Sequence, residues 1–262
     1  MAVAKLLEEE GHKAVILEKK NNSESYSLAN KLNKGNITIQ LGKSLEIKNF
    51  EPWLDKISSV IISPGIDWHH PTLNILRDKG IAVESEISFA WKRLKHIPWI
   101  GITGTNGKTT VTYLINHILK TNGISAPMCG NMGYPVSSIA LDLKSQAKKT
   151  PDYLIVELSS YQIEASIEVN PQIGIWTNIS PDHLERHKSF DKYKAIKKSL
   201  LDKSKVKILN SNNKEINNIR SDFKDGIWIS SQNSLESDYW INSAGMIIES
   251  GEELFDSSLL KM

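Results

Sequence analysis

The stretch PWIGITGTNGKTT, residues 98–110, decides the fold, because it runs from an apolar strand through a glycine-rich loop into a helix. The apolar residues that follow recur at helical spacing and predict one buried stripe on that helix. Gly123 marks the predicted end of the helix. The residues of the stripe are Val111, Leu114, Ile115, Ile118 and Leu119.

The loop at residues 104–110 has the features of a phosphate-binding site. Glycines let the backbone approach a ligand, and the following helix N-terminus adds about half a positive charge. Lys108 would reach the outer phosphates, and the Thr109 hydroxyl could ligate Mg²⁺. The standard loop has glycine six positions before the lysine, where Ile102 stands here, so this loop is a variant. A glycine-rich turn without a ligand is the alternative. The predicted nucleotide-binding residues are Gly104, Thr105, Asn106, Gly107, Lys108, Thr109 and Thr110.

Strands and helices alternate on both sides of the loop, which predicts an α/β protein. Near the N-terminus, the sequence predicts a helix that ends at Gly11 and then a buried parallel strand at Ala14–Glu18. A doubly wound sheet normally has a strand and a glycine-rich turn before its first helix. We therefore expect an incomplete Rossmann-like N-terminal domain at residues 1–93. Residues 94–262 should form a P-loop-type, mostly parallel central domain with antiparallel hairpins at its edge.

Composition excludes several classes of protein. Of the 262 residues, 40% are hydrophobic and 24% charged, which rules out wholesale disorder. The single cysteine, Cys129, excludes a disulfide framework and a cysteine-rich zinc site. The net charge of +2 gives no basic footprint for nucleic acid or for an anionic membrane. Because we find no secretory signal and no apolar stretch of membrane-spanning length, we expect a cytoplasmic protein.

Three polar residues stand at or just past the ends of apolar strands. Glu157 ends the strand in residues 152–157, His183 follows the strand in residues 172–178, and Asn131 follows another strand. Ligands of open α/β sheets bind outside the carboxyl ends of the strands, so these side chains should face the loop. An oxygen ligand there could hold Mg²⁺ between phosphates. The alternatives are a helix N-terminal charge for Glu157, a surface histidine and a turn asparagine.

Lys197 interrupts an apolar helix face. Tyr193, Ile196 and Leu200 share that face with it at helical spacing. Burial penalises an ammonium group and favours the neutral amine, which CO₂ could carbamylate to an anionic oxygen ligand. The alternative is a lysine whose charged end reaches water from the edge of the stripe.

Several motifs, in this order along the chain, resemble those of the Mur ligases of peptidoglycan synthesis. The segments ELSSYQIE (157–164) and ISPGIDWHHP (62–71) resemble the branch that adds D-glutamate. The motifs in the order of the family are GITGTNGKTT (101–110), CGNMG (129–133), IVELSSYQIE (155–164), TNISPDHLERH (177–187) and YKAIK (193–197).

The resemblance implies an ADP-forming ligase that joins D-glutamate to UDP-N-acetylmuramoyl-L-alanine. The substrate carboxylate would take the γ-phosphate of ATP, and the amine of D-glutamate would attack the resulting acyl phosphate. The resemblance also implies two Mg²⁺ ions and a carbamylated lysine. The implied metal ligands are Thr109, Glu157, His183 and carbamylated Lys197. The implied catalytic residues are Lys108, Asn131, His183 and Lys197. The implied substrate-binding residues are Ser63, Pro64, Gly65, Asn131, Ser159 and His183.

Members of the family differ from this sequence at both ends. They begin with a strand and a glycine-rich turn, and they continue into a third domain that closes over ATP and binds D-glutamate. This sequence ends at Met262, before that domain. We therefore expect the chain alone, as a monomer in a bacterial cytoplasm, to bind nucleotide but to catalyse little ligation. Another Mur or folylpolyglutamate-type ligase and an inactive nucleotide-binding fragment are the alternatives.

Overall fold

The computed structural model describes residues 1–32 and 35–259, which divide into two compact units. The first unit combines residues 1–96 with residues 133–150 and 164–167. The second unit contains the other described residues. The domain bounds 1–93 and 94–262 stay a prediction. No helix of the described residues is long and apolar enough to span a membrane.

Helices and strands alternate along most of the described chain. The helices are α1 Ala2–Glu9, α2 Ser23–Leu32, α3 Pro71–Asp78, α4 Glu86–Leu94, α5 Lys108–Thr121, α6 Val136–Lys144, α7 Ser160–Glu164, α8 Leu184–His187, α9 Phe190–Lys203 and α10 Lys214–Asn217. The strands are β1 Ala14–Glu18, β2 Ile37–Leu41, β3 Ser59–Ile62, β4 Ala82–Ser85, β5 Trp99–Thr103, β6 Met128–Gly130, β7 Leu154–Glu157, β8 Ile173–Trp176, β9 Val206–Asn210, β10 Ile227–Ser230, β11 Tyr239–Ile241, β12 Met246–Glu249 and β13 Glu252–Asp256.

The first unit contains two separate two-stranded parallel sheets, β1–β2 and β3–β4. Parallel strands that alternate with helices agree with the α/β fold that the sequence predicts for this part of the chain. The prediction that β1 is buried was wrong for most of the strand, because only Ala14 is buried and Val15 is exposed. Ala14 packs with Ala4 of α1 and Ile37 of β2. A strand with one neighbour in its sheet is enclosed on fewer sides than a strand inside a large sheet, which explains the difference.

The second unit is built on a nine-stranded sheet with the order β13-β12-β11-β10-β9-β8-β5-β7-β6. Neighbouring strands from β6 to β11 pair in parallel, and β12 and β13 pair antiparallel. The predicted mostly parallel sheet with an antiparallel edge is confirmed. Every residue of β5 and β7 is buried, so the strands that carry the loop and Glu157 lie in the core of the unit.

The helix α5 packs on this sheet with a narrower face than the sequence predicts. Val111, Ile115 and Leu119 contact the apolar cluster of the sheet. Leu114 and Ile118 are 39% and 57% exposed, so their prediction as buried residues was wrong. Positions four apart lie almost above one another on a helix, whereas positions three apart are rotated to the side. The sheet therefore covers the first row and leaves the second in water.

We expect the contact between β8 and α9 to tolerate no side chain at Gly174. A Cβ atom there would collide with Ser204 Oγ and lie 2.8 Å from Ser204 Cβ. Gly174→Ala should lower the free energy of unfolding by about 1–3 kcal/mol through overpacking. Ser204→Gly should cost about 1 kcal/mol, because it removes the hydroxyl that donates to Leu200 O at 2.7 Å. Urea unfolding of both variants and of the double variant measures the coupling. The double variant should lose less stability than the sum, and strict additivity would contradict this packing.

Candidate active site

The candidate site lies at the carboxyl ends of the parallel strands of the nine-stranded sheet. The strands β6, β7, β5 and β8 are parallel neighbours, so their carboxyl ends lie on the same side. Asn131 follows β6, Glu157 ends β7, the glycine-rich loop follows β5, and the segment with His183 follows β8. The structure therefore brings the sequence-predicted positions of the second unit to one edge, where open α/β sheets bind ligands.

A buried carboxylate organises one part of this edge. Glu157 is 2% exposed, and its Oε2 accepts a hydrogen bond from Thr109 Oγ1 at 2.8 Å. Its Oε1 accepts from Asn131 Nδ2 at 2.9 Å, and its backbone oxygen accepts from Asn131 N at 2.8 Å. Gly130 has φ +102°, and a Cβ atom there would collide with the backbone oxygen of Glu157, so this approach requires glycine. Three predicted site residues thus form one cluster.

Lys108 lies at the start of α5 and folds over the glycine-rich loop. Its Nζ donates to Thr105 O at 2.9 Å and to Gly104 O at 3.1 Å. Gly107, the residue before the helix, has φ +75°, which a glycine adopts readily. The ammonium group therefore lies at the loop and not out in solvent, and a phosphate oxygen could replace these carbonyl oxygens as its partner.

Lys197 is 1% exposed and lies on the inward face of α9, as its spacing predicts. Its Nζ donates to Gly104 O at 2.8 Å and lies 3.3 Å from Thr103 Oγ1. Burial, with a smaller contribution from the Lys108 ammonium, lowers the pKa of Lys197 to about 7. A buried ammonium needs oxygen acceptors, and the loop supplies the nearest ones.

His183 is the residue before α8 and has φ +52°, and its side chain is 47% exposed. Its Nε2 lies 3.5 Å from Asp182 Oδ2, its Nδ1 lies 3.9 Å from Glu185 Oε1, and its ring centroid lies 5.3 Å from that of Tyr161. Within the described chain these contacts do not include Glu157 or Lys197. The imidazole is therefore accessible to a ligand at the carboxyl ends of the strands. It does not contact the cluster formed by Glu157, Thr109 and Asn131.

Ser159 stands between β7 and α7 and is fixed by Gln162. Both its backbone N–H and its hydroxyl donate to Gln162 Oε1 at 3.0 Å. The hydroxyl oxygen of Ser159 also accepts from Gln162 N at 3.3 Å, so one of its two lone pairs is left for a further hydrogen bond. Ser63, Pro64 and Gly65 form the exposed turn that follows β3 in the first unit.

Sequence reasoning assigned no role to Thr177 and Asn178, although both lie in the TNISPDHLERH motif. They follow β8 directly, and their side chains contact the backbone of the glycine-rich loop. The signal that could have found them is the one that found Glu157, namely a polar residue immediately after a buried strand. Asparagine and threonine are also common turn residues, which hid this signal.

The described side chains do not form a metal site by themselves. No group of three or more His, Cys, Asp or Glu side chains in the described residues is placed to hold a metal ion. A cation at Glu157 and Thr109 would need further oxygen atoms, which phosphate groups can supply.

Comparison with known families and proteins identifies the chain. The profile of the Mur ligase middle domain matches residues 102–257. The UDP-N-acetylmuramoylalanine–D-glutamate ligase of Prochlorococcus marinus strain MIT 9313 is 46% identical over the whole chain, which covers 58% of that relative. The ligase of the same name from Parasynechococcus marenigrum strain WH8102 is 43% identical over 99% of the chain, which covers 57% of it. The chain thus spans less than two thirds of the length of these curated relatives.

Solved structures share the fold at lower sequence identity. A UDP-N-acetylmuramate:L-alanyl-gamma-D-glutamyl-meso-diaminopimelate ligase from Neisseria meningitides matches with a TM-score of 0.61 and 12% identity, over 96% of this chain and 81% of its own. A UDP-N-acetylmuramate–alanine ligase from Thermotoga maritima matches with a TM-score of 0.53 and 19% identity, over 97% and 56%. The family profile and the curated relatives confirm the resemblance found in the motifs, and the chain belongs to the Mur ligase family.

Proposed function

We propose that this chain carries the nucleotide site and the UDP-sugar site of an ATP-dependent ligase that joins D-glutamate to UDP-N-acetylmuramoyl-L-alanine. The observation that carries the proposal is the Thr109–Glu157–Asn131 cluster beside a glycine-rich loop, in a chain 46% identical to a relative named for that activity. The products would be the amide, ADP and phosphate.

The glycine-rich loop and Lys108 would hold the β- and γ-phosphates of ATP. The transition state of phosphoryl transfer spreads negative charge over the phosphate oxygens, so backbone N–H groups, the helix N-terminus and an ammonium group stabilise it. The position of Lys108 Nζ at the loop carbonyls supports this role, because it needs to move only a short distance to reach a phosphate.

The chemistry of the Glu157 cluster fits Mg²⁺. Carboxylate and hydroxyl oxygens are hard ligands, and Glu157 Oε2 and Thr109 Oγ1 lie 2.8 Å apart. Asn131 holds the other carboxylate oxygen through its amide Nδ2 at 2.9 Å. We assign Thr109 and Glu157 to one ion, and His183 and the carbamate of Lys197 to a second. When bound, Mg²⁺ neutralises phosphate charge and polarises the phosphoryl oxygens.

Lys197 as an ammonium would repel a cation, so its proposed role requires carbamylation. The neutral amine attacks CO₂ to form the C–N bond and releases one proton to solvent, which leaves an anionic carbamate with two oxygens. The lowered pKa of about 7 supports this step, because much of the buried amine is then neutral near pH 7. The present contacts to Gly104 O and Thr103 Oγ1 belong to the unmodified amine.

The reaction would proceed in two displacements. The carboxylate of UDP-N-acetylmuramoyl-L-alanine attacks the γ-phosphorus of ATP, and ADP leaves. The amine of D-glutamate then attacks the acyl carbonyl, and the tetrahedral intermediate collapses to the amide with loss of phosphate. We assign Asn131, Ser159 and His183 to the muramoyl substrate. The exposed turn Ser63, Pro64 and Gly65 would bind the uridine diphosphate.

The proposed activity can be tested in a chimera of this chain with the part of the Prochlorococcus marinus MIT 9313 ligase that the match does not cover. ADP release should require UDP-N-acetylmuramoyl-L-alanine and D-glutamate together. Lys108→Ala should lower kcat at least a hundredfold, because it removes a positive charge from the phosphates. Lys120→Ala, a change in the last turn of α5, is the matched control. Equal rates with L-glutamate or diaminopimelate would refute the proposed specificity.

The carbamate can be tested by chemical rescue in the same chimera. Lys197→Ala should abolish turnover, because it removes the proposed oxygen ligand. Acetate or formate in the vacated space should restore part of the activity, since either carboxylate can replace the carbamate oxygens. Lys198→Ala, next to it on the partly exposed side of α9, should need no rescue. Failure of every short carboxylic acid to restore turnover would count against the carbamate.

Burial of Lys197 should also make stability depend on pH. The pKa falls from 10.5 in the unfolded chain to about 7 in the fold, so between these values the unfolded chain binds more protons. The free energy of unfolding should therefore rise with pH in that interval. Lys197→Met should be most stabilising, relative to wild type, below pH 7, and its advantage should shrink as the pH rises towards 10. Urea unfolding in buffer free of CO₂ and Mg²⁺ measures this, and a difference that stays constant from pH 6 to pH 10 would contradict it.

A further inference from the structure

The two residues after β8 hold the glycine-rich loop by its backbone. Thr177 N donates to Thr103 O at 3.0 Å, which continues the pairing of β8 with β5. One residue later, Asn178 O accepts from Thr105 N at 3.0 Å. The backbone of the loop is therefore paired with the segment after β8 beyond the end of the strands.

The side chains of the same two residues bind the backbone of Asn106. Asn178 Oδ1 accepts from Asn106 N at 2.9 Å, and Asn178 Nδ2 donates to Asn106 O at 3.0 Å. Thr177 Oγ1 lies 2.7 Å from the same Asn106 oxygen. One amide side chain thus matches both backbone groups of one residue, and a hydroxyl adds a second donor to its carbonyl. Both backbone polar groups of Asn106 are engaged by protein before any phosphate arrives.

The fit between this pair and the loop extends to Gly104 and to the next strand. A Cβ atom on Gly104 would collide with Thr177 Oγ1, and Gly104 has φ +155°, so the position requires glycine for two reasons. Asn210 at the end of β9 donates from Nδ2 to Thr177 O at 2.7 Å. The backbone of Thr177 is therefore held by Asn210 of β9, while its hydroxyl contacts the loop.

We propose that Thr177 and Asn178 are positioning residues that set the conformation of the glycine-rich loop and thereby select which of its N–H groups bind phosphate. The N–H groups of Thr105 and Asn106 already donate to Asn178, so they are not available to bind the ligand. The N–H groups of residues 107–110, at the start of α5, remain to meet the phosphates. This inference rests on the proposed nucleotide site. It assigns a role to Thr177 and Asn178, which lie outside the nucleotide motif at residues 104–110.

Binding of inorganic tripolyphosphate to the 262-residue chain, measured by titration calorimetry without Mg²⁺, tests the proposal. Thr177→Val keeps the shape but removes the hydroxyl, and Asn178→Ala removes both amide bonds. Each should weaken binding about tenfold, because ordering the loop would then take place on binding and would reduce the net free energy of binding. Thr177→Ser keeps the donor and should stay within about twofold of wild type. The matched control is Asn242→Ala, which also removes two side-chain bonds to backbone, at Ala244 and Met246 in the edge hairpin.

Wild-type affinity in Thr177→Val and Asn178→Ala would overturn the inference and leave the nucleotide site intact. Absence of tripolyphosphate binding by the wild-type chain would overturn the proposed nucleotide site instead. Amide hydrogen exchange then decides the inference without any ligand. Exchange of the Asn106 N–H should be slow in wild type and at least tenfold faster in Asn178→Ala, with no change in Asn242→Ala. Equal exchange in wild type and Asn178→Ala would overturn the inference.

Discussion

The carbonyl oxygen of Gly104 is the point on which the site depends, because it accepts hydrogen bonds from the ammonium groups of both Lys108 and Lys197. Gly104 has φ +155°, and a Cβ atom there would collide with Thr177 Oγ1, so no side chain can stand at this point of the loop. The loop, the helix that follows it and the distant helix α9 are joined there, so the position of each lysine depends on the other.

This arrangement has an energetic cost in the unmodified protein. A buried amine with a pKa near 7 opposes the fold whenever it is protonated, and the second ammonium adds repulsion. An apolar residue such as leucine at position 197 would suit the stripe formed by Tyr193 and Leu200 better. A residue that breaks a local rule without a structural gain is typical of a functional position. The same reasoning identified Lys197 from its spacing alone.

Sequence analysis found those features that follow from local pattern. Glu157, Asn131 and the loop were predicted at one edge because parallel strands share a direction, and the structure places them there. Patterns do not state how wide a buried face is, so Leu114 and Ile118 were misjudged. They also do not state which distant backbone a side chain will meet. Asn178 bonds to a residue 72 positions away, and only the paired strands β5 and β8 bring the two together.

The outermost strand of the nine-stranded sheet has a consequence for association between molecules. The strand β13 is the last of the described strands on that side, and all five of its residues are exposed. An exposed strand edge can pair with a second chain, which leads to aggregation. Here Glu252, Glu253 and Asp256 place three carboxylates along five residues. Two copies that approached edge to edge would bring these like charges together, so the sequence of β13 disfavours the growth of one sheet onto another at neutral pH.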